Sequence, residues 1–298
     1  MRTIVNERVM DFFDFISEGF KIFSARVGDF SILSLGTIIP ASLLLLLAQD
    51  SVLNSNNDLN VVKIILLLVI LVFYVIVGLI TGMSSKIIVE GIVVDKPVSL
   101  SKAINLASSK WGRAFTTQLL SSLIIFAWSL LLFIPGFIYS IYYLFVLDAV
   151  ALRDKDGQEA LKYSKSLVEE QWWRIFGITF GIGIIFSIFN GLITFAFGKI
   201  SDNPYFTIIP NAITLYIASI FGIISTVLFL NNDFVYHRRL TRRKEIAKRE
   251  EYAPTIEEYL EAKNKKKASA SKRSTVKKIK PKAEKPKTVV KRNTRKKE

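Results

Sequence analysis

The chain has 298 residues, 51% of them hydrophobic, with no cysteine, one histidine and a formal net charge of +15. A mean hydropathy of +0.37 excludes an ordinary soluble domain, and the lack of cysteine excludes a disulfide scaffold or a thiolate metal site. Up to His237 there are 16 Lys and Arg against 17 Asp and Glu, so the last 61 residues hold the whole positive excess. The composition predicts an integral membrane protein with a basic appendage.

Residues 1–29 predict an amphipathic helix rather than a cleavable secretory signal, because polar and apolar residues alternate with a helical period. We expect this helix to lie along the inner membrane surface or beneath the bundle. Its apolar residues, which recur mainly at helical spacing, are Val9, Phe12, Phe13, Ile16, Phe20, Phe23 and Val27.

Five runs free of Asp, Glu, Lys and Arg reach the length of about 20 mostly apolar residues that a helix needs to cross a bilayer. The third run, residues 114–147, is 34 residues long and carries Pro135-Gly136, a pair that favours a turn. We therefore predict a tight helical hairpin there, and an all-α bundle of six transmembrane helices within residues 30–237. The predicted spans cover residues 30–49, 62–84, 114–134, 137–152, 174–198 and 207–230.

The charges between these spans predict which side of the membrane each loop faces. Linkers 83–113 and 153–174 carry five basic residues each, whereas the loop 50–60 has no Lys or Arg. Since Lys and Arg concentrate in cytoplasmic loops, both termini are predicted to face the cytoplasm. A five-span alternative would place the two basic linkers on opposite sides, so six spans are favoured. The predicted location is the plasma membrane, as a multi-pass protein of a prokaryotic cytoplasmic membrane.

Two further amphipathic helices precede the third and fifth spans, and both lead into the pattern W-x-R-x-F. This makes three amphipathic helices at the cytoplasmic face, each followed by two spans. A capping box formed by Asp156 and Glu159 is predicted to open the last of them. Trp prefers the headgroup layer and Arg can pair with lipid phosphate, so the pattern predicts interfacial lipid contacts. The predicted contact residues are Trp111, Arg113, Trp172, Trp173 and Arg174.

The stretch from Leu131 to Gly177 resembles part of a known family. It contains Leu-Leu-Phe-Ile-Pro-Gly-Phe-Ile-Tyr from Leu131, then Asp148, and Trp-Trp-Arg-Ile-Phe-Gly from Trp172. This stretch is similar to the membrane domain fused to some glycerophosphodiester phosphodiesterases and to related stand-alone prokaryotic multi-pass proteins of unassigned function. The resemblance implies a fold and a membrane address. It implies no phosphodiesterase activity, because that catalytic domain depends on several His and acidic residues and this chain offers only His237.

Asp148 is the most informative ionisable residue, because a carboxylate inside a span costs a few kcal/mol unless it reaches a partner or water. One interpretation makes it a cation or proton site. The other pairs it with Arg153, Arg174 or a neighbouring helix. The remaining polar residues of the spans either line a pathway with Asp148 or form interhelical hydrogen bonds. They are Gln118 in the third span, Asn190 in the fifth and Asn211 in the sixth.

Two Gly-x-x-x-Gly pairs predict close helix packing within the bundle, in preference to dimerisation. They are Gly78 with Gly82 in the second span and Gly177 with Gly181 in the fifth. The sequence lacks the G-x-S-x-G, P-loop and H-E-x-x-H patterns, and His237 has no second histidine with which to hold a metal. We therefore predict no enzymatic activity, no metal site and no cofactor.

The chain after the last span is strongly basic. Residues 238–262 predict a juxtamembrane helix, and residues 263–298, which are Lys-rich without an aromatic residue, predict a disordered tail. The tail is interpreted as binding anionic phospholipids, RNA or a nearby ribosome, or no specific partner. The basic residues predicted to bind are Arg238, Arg239, Arg242, Arg243 and Lys244.

These observations favour a non-enzymatic membrane-organising or scaffold module whose cytoplasmic face engages anionic phospholipids of the lipid bilayer, with an unidentified protein as a further possible partner. The first alternative is a small-solute or lipid transporter that uses Asp148, Asn190 and Pro40 of the first span. The second is the tethering of a ribosome or nucleic acid through the tail.

Overall fold

The fold is helical throughout the part of the chain that the structure describes. The structure is a computed structural model and describes residue 5 and residues 8–53, 61–200, 203–252 and 258–268. A 3-10 turn, Pro204–Thr207, precedes the last long helix, and residues 258–268 are also helical. The helices are α1 Phe12–Ala25, α2 Val27–Leu53, α3 Val61–Val93, α4 Leu100–Ser108, α5 Trp111–Leu131, α6 Phe133–Tyr142, α7 Val146–Arg153, α8 Gly157–Glu169, α9 Trp172–Gly198 and α10 Ile208–Tyr252.

Six segments of the described chain are long and apolar enough to cross a membrane, which confirms the predicted number of candidate spans. Several extend beyond the charge-free runs, because a helix can continue through charged residues whose side chains are paired, as Lys86 is with Asp148 and Glu90 is with Arg153. The helix predicted to end at residue 84, for example, continues to Val93. The segments are Val27–Gln49, Val61–Val93, Trp111–Leu131, Phe133–Arg153, Trp172–Gly198 and Tyr205–Lys248.

Three shorter helices gather at one end of the bundle, which we call the basic end. α1 precedes α2, α4 connects α3 to α5, and α8 connects α7 to α9. Arg153 of α7 binds Glu90 of α3 (2.5 Å), and Arg174 of α9 binds Asn232 of α10 (3.0 Å), so the ends of the long helices meet here. Fully buried side chains of this region include Ile88, Phe145 and Phe229.

The hairpin between α5 and α6 turns at Leu132, and the predicted turn at Pro135-Gly136 is wrong by three residues. Leu132 has extended backbone angles (φ −156°, ψ 135°) and separates the two helices. Pro135 lies in the first turn of α6, where a missing N–H leaves no helical hydrogen bond unmade. Gly136 instead allows the hairpin arms to touch, because a Cβ there would lie 2.8 Å from the Ser129 Cα.

The second arm of the hairpin is two helices rather than the single span predicted for residues 137–152. α6 ends at Tyr142 and α7 begins at Val146. Ser164 of α8 bridges the break, since its hydroxyl donates to the Tyr142 carbonyl (2.7 Å) and accepts from the Phe145 amide (3.1 Å). A broken helix inside an apolar bundle is tolerated when another side chain satisfies the freed backbone groups.

The α5–α6 hairpin lies alongside α8. Near the base of the hairpin, the Gly157 amide at the start of α8 donates to Thr117 Oγ1 of α5 (2.8 Å). Near the tip, Ile134 lines the same cavity as Glu169, the last residue of α8. The hairpin therefore follows an element of the basic end along its length, an arrangement that the six-span interpretation does not predict.

The buried side of α1 is not the predicted apolar face. Phe15 and Ile22, which are not among the predicted residues, are buried, whereas the predicted Phe13 is 79% exposed and Phe20 is 50% exposed. Apolar residues cover about half of the circumference of this helix, at 3.6 residues per turn. One side of that arc packs against protein, and the other side remains at the surface.

The capping box predicted at Asp156 and Glu159 does not form. Asp156 is the residue before α8, but its carboxylate binds the Arg113 side chain (2.6 Å) and makes no capping hydrogen bond. Glu159 pairs with Lys155 (2.6 Å). A nearby cation competes successfully with a backbone amide for each carboxylate, because charge-assisted bonds are the stronger kind.

The tail is helical further along the chain than predicted. α10 continues to Tyr252, and residues 258–268 are helical, so the prediction of disorder is wrong for residues 263–268. The remainder of the predicted disordered tail, residues 269–298, lies outside the described residues.

Candidate functional site

Asp148 forms a buried ion pair with Lys86. Asp148 of α7 is 1% exposed, and the Lys86 ammonium of α3 donates to its carboxylate across 2.8 Å. The same ammonium lies 3.4 Å from the Thr226 hydroxyl of α10. Of the partners considered for Asp148, the structure therefore selects a neighbouring helix rather than Arg153 or Arg174. The pair joins three helices and neutralises two charges in a site from which water is largely excluded.

A polar cavity of about 340 Å³ lies between α2, α3 and α10, with Lys86 in its wall. Ser34 donates its hydroxyl hydrogen to the Phe30 carbonyl (2.8 Å), and Thr81 donates to the Val77 carbonyl (2.9 Å). These hydroxyls therefore add oxygen acceptors to the lining. The other polar side chains of the wall are Thr37, Tyr74, Ser85 and Ser219.

The structure does not bring Asp148 together with the other polar residues predicted for a membrane pathway. Asn190 and Asn211 line a separate cavity of about 370 Å³ beside the turn between α9 and α10. There Asn190 accepts a hydrogen bond from Thr214 (3.2 Å), and Asn211 donates to a backbone carbonyl one turn earlier (2.8 Å). Gln118 is exposed on α5. The predicted grouping of these residues into one site does not hold.

Arg113, predicted as a lipid contact, binds protein carboxylates. Its guanidinium pairs with Asp154 (2.7 Å) and Asp156 (2.6 Å) in the connection between α7 and α8. The hydrogen bond from Arg113, together with Lys110, holds the pKa of the exposed Asp154 carboxyl below its ordinary value. Because the guanidinium binds both carboxylates, the arginine fixes the α7–α8 connection.

Arg174, the corresponding arginine of the second W-x-R-x-F pattern, also binds protein. It donates to the Gln171 side chain (2.8 Å), to Asn232 of α10 (3.0 Å) and to the Met10 carbonyl (2.7 Å). The contact to Met10 reaches the segment before α1. Arg174 therefore joins the start of α9 to α10 and to the segment before α1.

The three tryptophans of the pattern differ in their surroundings. Trp173 is 78% exposed and Trp111 is 40% exposed, so lipid contact by both remains a prediction. Trp172 is partly buried, with its ring stacked on Phe176 at 5.2 Å between centroids and edge-on to Phe137 at 6.5 Å. Trp172 thus belongs to an aromatic cluster between α6 and α9.

Arg153 is the centre of an unpredicted ion network at the basic end. Its guanidinium binds Glu90 (2.5 Å) and Asp233 (2.6 Å). Asp233 also accepts a hydrogen bond from the Tyr163 hydroxyl and lies 3.3 Å from His237 Nε2. Burial raises the pKa of the Tyr163 phenol, and the Asp233 carboxylate raises it further, so this hydroxyl stays protonated as a donor. The network ties α3, α7, α8 and α10 together.

The polar run 231–233 is the sequence signal for this network, because consecutive polar residues near the end of an apolar span require partners. Asn231 is fully buried, and its Nδ2 donates to the carbonyls of Val5 (2.7 Å) and Arg8 (2.8 Å). The Met10 amide donates to Asn231 Oδ1 (3.3 Å). α10 therefore holds the segment that precedes α1.

The glycine pairs behave differently from one another. Gly78 and Gly82 line the polar cavity, and a Cβ at either would meet its nearest neighbour only at 4.0 or 3.9 Å. Gly177 has no such atom within 4 Å in the described chain, so the predicted close packing does not occur there. Gly181 packs against Phe12, whose ring would lie 2.8 Å from an added Cβ.

The basic residues predicted to bind lipid or RNA are divided between two units of the chain, residues 1–240 and residues 241–298. In the first unit Arg238 is exposed, and Arg239 pairs with Glu170 of α8 (2.9 Å). In the second unit the predicted residues are exposed helical positions, namely Arg242, Arg243 and Lys244.

Comparison with known proteins points to a family. The sequence profile of a domain of unknown function, DUF7847, matches residues 59–232. This match covers more than half of the chain and runs from the start of α3 into the polar run of α10. No curated protein and no solved structure matches the chain.

Proposed function

Because the chain belongs to the DUF7847 family, whose function is unknown, its role has to be inferred from its own residues, and we propose that it is a non-enzymatic, membrane-organising module. In this proposal the basic end and the tail bind anionic phospholipids. The module resides in a prokaryotic plasma membrane with both termini in the cytoplasm. The six candidate spans and the uneven distribution of Lys and Arg between the loops support this placement.

The observation that carries the proposal is the exposure of a basic helical tail. Residues 241–248 and 258–268 are exposed at every position. A basic side chain close to an anionic membrane surface contributes about 1 kcal/mol to binding, so a handful of such residues suffices for stable contact. The basic residues of these two stretches are Arg242, Arg243, Lys244, Lys248, Lys263, Lys265, Lys266 and Lys267.

The absence of a catalytic role is part of the proposal. Within the described residues, no three His, Cys, Asp or Glu side chains come together as a potential metal site. The buried carboxylates Asp148 and Asp233 are engaged by Lys86 and Arg153 in ion pairs. The resemblance to membrane domains fused to some phosphodiesterases implies a fold and a membrane address and no activity, which supports a module that performs no chemistry of its own.

Lipid binding by the tail can be tested with a single fluorescent label, since the chain has no cysteine of its own. Ala262→Cys, an exposed position, carries a polarity-sensitive dye, and the full chain is placed in nanodiscs with or without phosphatidylglycerol. We expect the dye emission to shift to shorter wavelength only with phosphatidylglycerol. Raising the salt from 0.1 M to 1 M should reverse the shift, because the screening length falls from about 10 Å to about 3 Å.

Two sets of substitutions serve as test and control. Replacing Arg242 and Arg243 by Gln should reduce the shift, whereas Lys at the same positions should preserve it, since the charge is kept. An equal shift in neutral nanodiscs, or no effect of the Gln substitutions, would contradict the proposal. Displacement of the labelled tail from phosphatidylglycerol by RNA at physiological salt would favour ribosome or nucleic-acid tethering instead.

Transport of a small solute is a second candidate, favoured by the polar cavity that reaches Lys86. Hydroxyl groups are the most numerous polar groups of its lining, and Asp148 neutralises the ammonium, so the polar part of the cavity suits a small neutral polyol.

Glycerol-driven swelling of proteoliposomes tests this candidate. Gly78→Leu should abolish any glycerol flux, because Gly78 lines the cavity and a leucine side chain there would fill it. The substitution should not displace neighbouring atoms, since the nearest one to an added Cβ is 4.0 Å away. Gly191→Leu on α9, whose added Cβ meets nothing within 4 Å, is the matched control. Swelling no faster than that of protein-free liposomes would remove transport of this solute class from consideration.

A further inference from the structure

A groove runs between α6 and α9 on the outside of the bundle. It consists of two adjoining sections of about 850 and 570 Å³, and Phe137 and Phe176 stand in the walls of both. Each section is within the size range of ligand sites, and both helices belong to candidate spans. Most of the remaining wall is apolar and includes Ile138, Ile141, Phe180, Ile184 and Ile188.

The groove begins at membrane-surface depth and leads inward. α9 has 27 residues and is therefore about 40 Å long, longer than a hydrocarbon core of about 30 Å. Its first residue, Trp172, lies in the headgroup layer when the helix is centred in the bilayer. Ile188 is about 24 Å further along the helix, close to the bilayer midplane. The hydrocarbon chain of a lipid in one leaflet covers this same depth.

Two polar atoms of the groove walls are buried without a partner among the described residues. They are Trp172 Nε1 and Thr179 Oγ1. The Trp172 ring is held by its contacts with Phe137 and Phe176, so the direction of its N–H is fixed. An indole N–H can only donate, and a buried donor without an acceptor costs about 1–3 kcal/mol. A phosphate or ester oxygen that enters between the groove walls would supply the acceptor that the Trp172 N–H lacks.

The charged residues at the mouth of the groove indicate which kind of lipid headgroup fits there. Glu169 is exposed there, and the neighbouring Glu170 is paired with Arg239 (2.9 Å). Arg174, also at the mouth, directs its hydrogen bonds to protein groups on α10 and before α1. A phosphate beside Trp172 with an ammonium beside Glu169 is complementary to this arrangement. A purely anionic headgroup is repelled by the Glu169 carboxylate.

We propose that the α6–α9 groove binds one polar lipid with a zwitterionic headgroup. The phosphate or ester oxygen accepts from Trp172 Nε1, the ammonium lies beside Glu169, and a hydrocarbon chain follows α9 toward Ile188. This site is separate from the tail and goes beyond the proposed electrostatic contact with anionic lipid. Removing the tail after Ala262 leaves the groove lipid in place, so failure of either proposal is distinguishable from failure of the other.

The test of the hydrocarbon-chain site uses Gly183, which lines the groove. A Cβ at Gly183 meets no atom within 4 Å, so Gly183→Leu fills the groove without displacing protein. Gly191→Leu on the same helix is equally free of contacts and is the matched control. The full-length variants are reconstituted with equal amounts of phosphatidylethanolamine and phosphatidylglycerol, and the lipid retained in detergent is identified by native mass spectrometry. We expect the wild type and Gly191→Leu to retain one phosphatidylethanolamine, and Gly183→Leu to retain about tenfold less.

The headgroup contact is tested by Trp172→Phe, which keeps an aromatic ring in the cluster but removes the N–H. Trp173→Phe, at a ring that is 78% exposed, is the control. Weaker retention of phosphatidylethanolamine in Trp172→Phe alone supports the site. Equal retention by Gly183→Leu and Gly191→Leu, equal retention by the two Trp variants, or a preference for phosphatidylglycerol overturns it.

Discussion

Lys86 and Asp148 show how a single pair of residues can hold three helices together. Moving two charges out of water costs several kcal/mol per ion, and their attraction repays this only when the geometry is good. Here the ammonium reaches the carboxylate at 2.8 Å and has the Thr226 hydroxyl as a second neighbour. Removing one partner leaves the other charge buried and alone, whereas removing both leaves none.

We expect Asp148→Asn and Lys86→Met each to lower the free energy of unfolding by about 3–5 kcal/mol. The double variant Lys86→Met with Asp148→Leu should cost much less than the sum, because no charge remains buried. Unfolding in mixed detergent, followed by tryptophan fluorescence, measures these differences.

The ion pair between Lys155, in the connection before α8, and the exposed Glu159 of α8 provides the control for this cycle. Its side chains are 2.6 Å apart at helical spacing, and such surface pairs contribute about 0.2–1 kcal/mol. Lys155→Met should therefore change the unfolding free energy little. If the double variant at the buried pair cost as much as both single variants together, the pair would not be acting as a unit.

At the scale of elements, the sequence predicts where helices exist better than where they break. Five charge-free runs, the third of them divided into a hairpin, predicted the six candidate spans, because lipid-facing helices need an uninterrupted apolar stretch. The break between Tyr142 and Val146 has no local signal, since its residues are compatible with a helix. It is stabilised by Ser164, about twenty residues later, and such a contact is visible only in the folded chain.

The α5–α6 hairpin offers a prediction at the same scale. Its tip consists of apolar residues that are all exposed, from Leu130 at 72% to Ile134 at 70%, and it lies beside the end of α8. We expect this tip to be immersed in lipid rather than to emerge on the far side of the membrane. Leu132→Cys should then resist a membrane-impermeant maleimide from either side and react after detergent solubilisation.

Two exposed positions calibrate that experiment in the naturally cysteine-free chain. Asn203→Cys, in the connection between α9 and α10, should react from outside in intact cells. Ser109→Cys, in the connection between α4 and α5, should react only when the inner face is accessible. Labelling of Leu132→Cys together with Asn203→Cys would show that the hairpin crosses the membrane completely.

At the scale of the whole molecule, polar side chains are concentrated at the basic end and in two separate cavities. The position of Asp148 in an apolar run identifies it as a candidate site residue. Its partner Lys86 cannot be identified in this way, because in the sequence it resembles an ordinary cation of a cytoplasmic loop. Arg113 and Arg174 likewise look like interfacial cations in the sequence, which is why they are predicted as lipid contacts. A linear sequence shows that a cation is present near the interface. Only the folded chain shows whether a protein acceptor binds that cation.

Because Asn231 donates hydrogen bonds to the carbonyls of Val5 and Arg8, the order in which the chain is synthesised matters for its folding. The residues that meet are 226 and 223 positions apart, so the N-terminal segment leaves the ribosome long before Asn231 is synthesised. Until the final span is inserted, that segment lacks its contacts with Asn231 and has only those with earlier helices, such as the hydrogen bond from Arg174 of α9 to the Met10 carbonyl. Complete docking of the beginning of the chain therefore waits for its newest membrane helix, and a nascent chain stalled before that point is more open to chaperones and proteases.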